Sequence, residues 1–360
     1  MPTGAQEPPR CVPDAFRRAA SEVRTRPPRR TGPWRNLLAL LLGVAVSLAA
    51  AEGLLHWCYP HDGLRAGVEL PWMRGNPDDL SKVYTLDPET GFRPILGAGD
   101  YSAFGTLLNA YPATKRAGMT RVLFIGDSVT RRGKIVDALR AIHGEETFEY
   151  WNAGVESFGT VQEVAYYLRH NAAIEPDHVI LTFHPNDFES TPVAFFDRDR
   201  RLVVYQPSAP LRTPSRRLFQ ASHLYRFLLG LTADRDRGRA AIAAEVRGAM
   251  QRLRDALRAR GIRLSVVILP LMKPAAEWSP DERRALEQIR AITAELGIEA
   301  HDLLPALERA MAGGVDIHET PMDPWHPSAA VARVFARELA ARGLLAPPPR
   351  AAEGREGDGR

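Results

Sequence analysis

The sequence predicts an α/β fold in which helices pack on both faces of a parallel sheet, behind an N-terminal membrane helix. Short, continuous apolar runs are typical of strands buried on both faces, and stretches with helical spacing of apolar residues separate them. A long apolar run after a basic arm predicts the membrane helix. Because doubly wound sheets bind ligands beyond the carboxyl ends of their strands, the functional site is expected at that edge.

The N-terminal region combines a basic arm with an apolar segment. Residues 1–35 contain eight arginines and three acidic residues, and residues 36–59 are apolar apart from a few positions such as Glu52. A helix of about 20 apolar residues crosses the hydrocarbon of a bilayer. The arginine excess before it predicts a cytoplasmic N-terminus and an extracytoplasmic main domain. A cleaved signal peptide is the alternative, because Ala49-Ala50-Ala51 offers a processing site, and it also exports the main domain.

Composition excludes several classes of function. The net charge is +4, but the basic arm accounts for the excess and the remainder is close to neutral, which argues against a nucleic-acid partner. Cys11 and Cys58 are the two cysteines of the sequence, so neither a disulfide framework nor a cysteine metal site can be built. No cofactor and no metal are expected.

The regular pattern of strands and helices lies in residues 119–345, which we interpret as the main domain. Strands are predicted at residues 122–125, 148–153, 178–183, 264–269 and 298–303. Helices are predicted at residues 131–142, 161–172, 241–260, 281–296 and 329–341.

Three further segments flank or interrupt this pattern. Residues 60–118 are interpreted as a short, irregular extracytoplasmic lead-in. Residues 188–236 are too long for a simple connection and predict an insertion over the site, where it would determine specificity. Residues 346–360 combine prolines, glycine and alternating charge, so we expect a disordered tail.

The clearest motif is the segment 126–130, Gly-Asp-Ser-Val-Thr, which directly follows the first predicted strand. A nucleophilic serine needs an exposed hydroxyl on a tight strand-to-helix turn, and Ser128 lies at the tip of such a turn. Taken alone, Asp127 or Ser128 could equally be a helix cap. A phosphate-binding loop is excluded, because Gly133-Lys134 is too far from Gly126 and is followed by Ile135.

The second motif is Asp323-Pro324-Trp325-His326, just before the last predicted helix. Hydrolases on α/β sheets often carry serine, acid and histidine in this order. A histidine base needs one ring nitrogen near the serine and the other held by a carboxylate, which Asp323 and His326 can supply together. In isolation, a turn aspartate and a surface histidine would be the simpler interpretation.

Two further residues follow predicted strands. Asn186 comes directly after residues 178–183, and its side-chain amide could donate to an oxyanion. Gly154 comes directly after residues 148–153 and could expose a backbone N–H to the same centre. Each alone would be a turn residue, but together with the two motifs they lie at carboxyl ends of predicted parallel strands.

In this order the sequence resembles the SGNH (GDSL-like) hydrolase superfamily, in its membrane-anchored bacterial form. The resemblance implies a three-layer α/β/α sandwich with a central parallel, flavodoxin-like sheet. It also implies a triad in which Ser128 is the nucleophile and Asp323 and His326 supply the carboxylate and the base. The oxyanion hole would be formed by Ser128, Gly154 and Asn186.

The resemblance covers residues 119–345 and has two departures. His184 stands two residues before Asn186, where the superfamily usually has a glycine, and Ser157 stands in place of a second glycine after Gly154. Both departures bear on substrate preference more than on catalytic competence. We interpret His184 as a wall of the site rather than a metal ligand.

The resemblance implies a periplasmic esterase that is anchored by residues 36–59. A small acyl ester or an acylated glycan is the expected substrate, with an ester of the cell envelope or of a carbohydrate favoured. Two alternatives remain open. The chain could be an O-acyltransferase, or a partner in acylation of envelope polysaccharide, or it could be a non-catalytic glycan-binding module on a hydrolase scaffold.

Overall fold

The computed structural model describes residues 33–58, 67–68, 82–196, 202–207, 215–231 and 235–345. Most of the predicted basic arm and the whole predicted tail, 346–360, lie outside these ranges. Contacts divide the chain into two units, Met1–Trp57 and Cys58–Arg360.

The elements are numbered here in chain order. The strands are β1 (Gly67–Val68), β2 (Tyr84–Asp87), β3 (Gly91–Pro94), β4 (Thr120–Gly126), β5 (Phe148–Asn152), β6 (His178–Phe183), β7 (Val193–Phe196), β8 (Leu202–Pro207), β9 (Arg263–Ile268) and β10 (Glu299–Asp302). The helices are α1 (Pro33–Cys58), α2 (Ser128–Arg131), α3 (Lys134–His143), α4 (Thr160–Arg169), α5 (Arg216–Ala221), α6 (His223–Leu231), α7 (Arg235–Arg258), α8 (Pro280–Glu295), α9 (Leu304–Ala312) and α10 (Ala329–Ala341).

The N-terminal unit contributes helix α1. It has 26 residues and, among the described residues, is the one helix long and apolar enough to cross a membrane. It begins three residues before the predicted segment, at Pro33, a residue type favoured in the first turn of a helix. The side of a membrane on which the remainder of the chain lies stays a prediction.

The main unit is built on a five-stranded parallel sheet with the order β10-β9-β6-β4-β5. In strand β4, which lies between β6 and β5, Val122 and Phe124 join the hydrophobic cluster formed with α3, α9 and α10. Leu123 and Ile125 join the cluster on the opposite face, formed with α4, α7 and α8. Alternate residues of a strand point to opposite faces, and here both faces are buried. The predicted three-layer sandwich with a central parallel sheet is therefore confirmed.

Several helix boundaries differ from the prediction. The helix predicted at 131–142 is α3, which begins at Lys134, because Gly133 before it has a left-handed backbone (φ 71°); the short helix α2 ends at Arg131, the first residue of the predicted range. The helix predicted from residue 241 begins earlier, at Arg235. Helix α9 was not predicted, because it starts two residues after β10 with no separating turn signal in Leu303-Leu304.

The interpretation of residues 60–118 as irregular is wrong for its described parts, residues 67–68, which form β1, and residues 82–118. Strands β2 and β3 form an antiparallel hairpin, in which the Asp87 carboxylate accepts hydrogen bonds from the backbone of Glu89 and Thr90. Phe92 and Tyr101 are fully buried in a cluster that includes residues after β5. The segment is therefore part of the packed main unit, which its polar turns concealed in the sequence.

The predicted insertion, residues 188–236, contains secondary structure of its own in its described parts. Strands β7 and β8 pair antiparallel, and β1 pairs with the other edge of β8. Helices α5 and α6 follow them. The prediction that this insertion determines specificity stays a prediction.

Candidate active site

Ser128 lies where β4 turns into α2. The Asp127 carboxylate accepts a hydrogen bond from the Val129 N–H at 2.8 Å and so caps the short helix. A Cβ at Gly126 would lie 2.1 Å from Thr130 Oγ1 and 3.1 Å from the Thr182 carbonyl oxygen, so the turn requires glycine there. The sequence-predicted cap and the sequence-predicted nucleophile are thus adjacent residues of one turn.

The three residues of the predicted triad meet at the carboxyl edge of the sheet. Ser128 Oγ and His326 Nε2 are 2.9 Å apart. His326 Nδ1 and Asp323 Oδ2 are 2.7 Å apart. These two distances make a continuous hydrogen-bonded chain from hydroxyl to imidazole to carboxylate, although residues 128 and 326 are far apart in sequence.

Backbone contacts fix the loop that carries the acid and the base. The Met272 N–H donates to the Pro324 carbonyl at 2.8 Å, and the Glu319 N–H donates to the His326 carbonyl at 3.1 Å. Asp323 Oδ1 accepts from the Trp325 N–H at 2.9 Å. Partial burial would raise the pKa of Asp323, but these backbone and imidazole hydrogen bonds outweigh it and hold the pKa below its usual range. Asp323 is therefore a carboxylate at neutral pH and can orient the imidazole.

Asn186 lies in the 3-10 turn Pro185–Asp187 that follows β6. Its Oδ1 is 2.5 Å from His184 Nδ1. Burial raises the pKa of Asp127, directly before Ser128, and hydrogen bonding to the Asn186 side chain is one of the interactions that lower it. Asn186 thus follows β6, as predicted, and its role as an oxyanion donor stays a prediction.

Gly154, directly after β5, packs against the backbone of α2. A Cβ there would lie 2.2 Å from the Arg131 nitrogen and 2.7 Å from the Arg131 Cα, so no side chain fits. The Gly154 N–H donates to Asn152 Oδ1 at 2.9 Å, and the Asn152 amide donates to the Thr130 carbonyl at 2.6 Å. Because the Gly154 N–H already has this acceptor, it would have to share or exchange the bond in order to stabilise an oxyanion. Its donor role stays a prediction.

One group of side chains within the described residues has donor atoms close enough to hold a metal ion. The ligand atoms of Glu319, Asp323 and His326 lie within 4.8 Å of one another. Glu319, however, pairs with Arg132 and, at 2.8 Å, with Lys134, and the other two residues bond each other in the triad. These protein partners fit a hydrogen-bonded triad better than a metal site, and the expectation of no metal and no cofactor stays a prediction.

A cavity of about 260 Å³ opens beside Asn186. Its apolar wall includes Phe188, Ile242 and Trp325, and charged side chains of α7 and α8 line the rest. The full lining is Pro185, Asn186, Phe188, Arg239, Ile242, Asp281, Glu282, Arg284, Ala285, Gln288 and Trp325. Trp325 is 39% exposed although it lies between the acid and the base of the triad. Asn186 and Trp325 thus connect the cavity to the loops that carry the predicted site residues, although Ser128, Asp323 and His326 do not line it.

No protein-family model and no curated protein matches the sequence. Solved structures with a similar fold include an alpha/beta hydrolase from the metagenome of Lake Arreo, Spain, at 18% identity and a TM-score of 0.42, covering 64% of this chain and 98% of that chain. An acetylxylan esterase from Geobacillus stearothermophilus, as a catalytic mutant, is similar at 15% identity and a TM-score of 0.42, covering 63% and 95%. A member of the lipolytic G-D-S-L family from Veillonella parvula is similar at 16% identity and a TM-score of 0.37, covering 62% and 97%.

Three buried carboxyl groups lie behind the site and were not predicted from the sequence. Asp127, Glu163 and Asp187 are at most 2% exposed. Neither carboxyl oxygen of Glu163 has a hydrogen-bond partner within the described part of the chain. Burial raises the pKa of all three groups, and their mutual repulsion raises that of Glu163 and Asp187 further. Glu163 is therefore protonated at a pH where an exposed glutamate is ionised.

Glu163→Gln is expected to reduce the loss of stability that occurs as the pH rises above the ordinary pKa of glutamate. Below the ordinary pKa of glutamate, Glu163 is protonated in both the folded and the unfolded chain. Above that pKa the unfolded chain releases the proton, whereas folded Glu163 retains it. The free energy of unfolding therefore falls as pH rises. The fall is at most about 1.4 kcal/mol per pH unit for one proton. Urea unfolding between about pH 5 and pH 8 measures it. Glu287→Gln, at an exposed position of α8, is the control. Equal pH dependence in wild type and Glu163→Gln would contradict the assignment.

Proposed function

We propose that the chain is a serine esterase of the SGNH type that works through an acyl-enzyme on Ser128. The observation that carries the proposal is the hydrogen-bonded chain Ser128 Oγ, His326, Asp323, with distances of 2.9 Å and 2.7 Å. Both distances are within the range in which a general base can take the proton of a serine.

In the proposed reaction, His326 Nε2 takes the proton of the Ser128 hydroxyl as Oγ attacks the ester carbonyl. The tetrahedral intermediate collapses when the imidazolium returns that proton to the leaving alcohol, which leaves the acyl group on Oγ. Water then attacks the acyl-enzyme, again with His326 as base, and releases the acid. The Asp323 carboxylate stabilises the imidazolium in both halves.

The negative charge on the carbonyl oxygen would be stabilised by the N–H of Ser128, the side-chain amide of Asn186 and the N–H of Gly154. The role of Asn186 is supported by its interaction with Asp127, the residue before Ser128, whose pKa it helps to lower. Removal of one such donor typically costs about 10² to 10³ in rate. Gly154 would contribute when its N–H is released from Asn152 or shared with it.

We propose an ester of the cell envelope or of a carbohydrate as the substrate, with helix α1 as the membrane anchor. The cavity beside Asn186 supports a substrate with both apolar and polar parts. Trp325 offers an exposed aromatic face, whereas Arg239 and Arg284 both contact Asp281 on the charged side. Carbohydrate esters combine such apolar faces with hydroxyl groups.

The test is covalent labelling of the full-length protein in detergent with a fluorophosphonate. We expect one label on Ser128 because the reagent reacts with an activated serine hydroxyl. Ser128→Ala, and wild type unfolded by heat, are the controls and should not be labelled. Peptide mapping identifies the modified residue.

An unlabelled, folded wild type would contradict the esterase proposal and favour the non-catalytic glycan-binding alternative. A labelled protein that hydrolyses a panel of aryl and sugar esters would support it. Addition of an oligosaccharide acceptor to the same assay distinguishes hydrolysis from acyl transfer, because transfer yields an acylated glycan.

A further inference from the structure

His184 is a buried histidine beside the active site that the proposed reaction does not use. It follows the last residue of β6 and stands where the superfamily resemblance would place a glycine. We propose that His184 is a positioning residue that holds the Asn186 amide with its N–H groups directed to the serine turn. The inference rests on the proposed function, in which this amide stabilises the oxyanion.

The two ends of the Asn186 side chain have different partners. Oδ1 of Asn186 lies 2.5 Å from His184 Nδ1, which leaves the N–H groups of the amide on the other side of the group. Burial raises the pKa of Asp127, and hydrogen bonding to the Asn186 side chain lowers it, as expected when amide N–H groups stabilise the carboxylate. The contact between Asn186 Oδ1 and His184 Nδ1 is a hydrogen bond only if His184 Nδ1 carries the proton and donates it.

The protonation of His184 fits this role. Burial lowers the pKa of His184 to about 4, so the ring is neutral at physiological pH and carries one proton. The charged or titratable groups that act on it are His326, Asp323 and Glu282, in addition to the hydrogen bond to Asn186. Within the described residues, His184 Nε2 is buried without a hydrogen-bond partner. The single proton is therefore expected on Nδ1, where a partner exists.

His184 also contacts the loop that carries the base. Its ring packs edge-on against Trp325, with 5.5 Å between the centroids and 62° between the planes. Trp325 directly precedes His326. The His184 ring thus contacts both the Asn186 side of the site and the loop that holds the triad, two parts of the machinery that come from distant segments.

A glycine at position 184 would provide neither contact. The Asn186 amide would then lose the 2.5 Å contact of its Oδ1 and could rotate more freely. A donor that must be oriented during the reaction stabilises the transition state less than one that is already in place. The predicted effect of losing the His184 donor is therefore on turnover more than on substrate binding.

Two substitutions distinguish the hydrogen bond donated by His184 Nδ1 from the packing of the His184 ring against Trp325. His184→Phe keeps a planar ring against Trp325 but has no donor, and His184→Asn places an amide nitrogen close to the position of Nδ1. We expect His184→Phe to lower kcat by about 10² with little change in KM, because the lost interaction belongs to the transition state. His184→Asn should recover most of that loss. Circular dichroism and melting temperature verify that both variants fold.

A double variant tests whether His184 acts through Asn186. If it does, His184→Phe combined with Asn186→Ala should be no slower than Asn186→Ala alone. Additive losses would overturn the proposal, and so would full kcat in His184→Phe. A stable His184→Asn variant that is as slow as His184→Phe would also overturn it.

A measurement without activity keeps this inference separate from the esterase proposal. In full-length protein with 15N-labelled histidine, the nitrogen chemical shifts of His184 should show a protonated Nδ1 and a bare Nε2 between about pH 5 and pH 8. The opposite tautomer, or a ring that gains a second proton in this range, would overturn the role of His184 even in an active enzyme. Loss of ester hydrolysis with the expected tautomer would instead contradict the proposed function.

Discussion

Ser128→Ala is expected to lower ester hydrolysis to the background rate, a loss of about 10⁶ in kcat. The substitution removes the hydroxyl that lies 2.9 Å from His326 Nε2, and no acyl-enzyme can form without it. Cβ remains in place at the turn, so the fold should be retained. Hydrolysis of an aryl acetate, followed by release of the phenol, measures the loss.

Two comparisons make this result specific to the triad. Ser102→Ala removes the hydroxyl of another partly buried serine, which hydrogen-bonds Thr106 in the segment before β4. This variant should keep wild-type activity. His326→Ala should be nearly as slow as Ser128→Ala, and the double variant should be no slower, because residues that act as one unit lose their effects together. Turnover by Ser128→Ala at a rate close to wild type would exclude Ser128 as the nucleophile.

The fold and the triad could be predicted because their signals are local. Residues 122–125 form an uninterrupted apolar run, and the strand they predict is buried on both faces. The residues that end a strand of a parallel sheet come to one edge whatever their separation in sequence. Ser128, Asn186 and the loop from Asp323 to His326 each follow such a position or come after the last strand, so the sequence order was sufficient to place them together.

The hydrogen bonds that orient these residues could not be predicted in the same way. The direction of the Asn186 amide depends on its 2.5 Å contact with His184 Nδ1, that is, on the rotamers of both side chains. A sequence pattern states which residues follow a strand, but not which atoms of their side chains face one another. The pairing of the Gly154 N–H with Asn152 escapes prediction for the same reason.

Residues 82–118 show a second limit of the sequence signal. Their polar turns predicted an irregular segment, yet Tyr101 is 1% exposed and its hydroxyl donates to the Gly154 carbonyl at 3.0 Å. The contact joins positions far apart in sequence that no periodicity connects. Buried packing of this kind depends on the tertiary structure, which overrides the local turn pattern.

Gly154→Ala is expected to impair both activity and stability. The added Cβ would lie 2.2 Å from the Arg131 nitrogen and 2.7 Å from the Thr130 carbonyl carbon, which are backbone atoms of α2 and cannot rotate away. Helix α2 must therefore move relative to β5, and Ser128 at its first residue moves with it. Displacement of a reacting group by about 1 Å can cost about 10² in rate. Overpacking of this type lowers the free energy of unfolding by about 1–3 kcal/mol.

Gly248→Ala is the matched control for this substitution. Gly248 lies inside α7, and its Cβ would meet the end of the flexible Arg252 side chain at 3.6 Å, an ordinary contact. Alanine in a helix interior is more favourable than glycine by up to about 1 kcal/mol, so this variant should be at least as stable as wild type and equally active. Aryl acetate hydrolysis and urea unfolding of both variants measure the difference. Equal activity and equal stability of Gly154→Ala and Gly248→Ala would contradict the claim that the close packing of Gly154 against α2 positions the nucleophile.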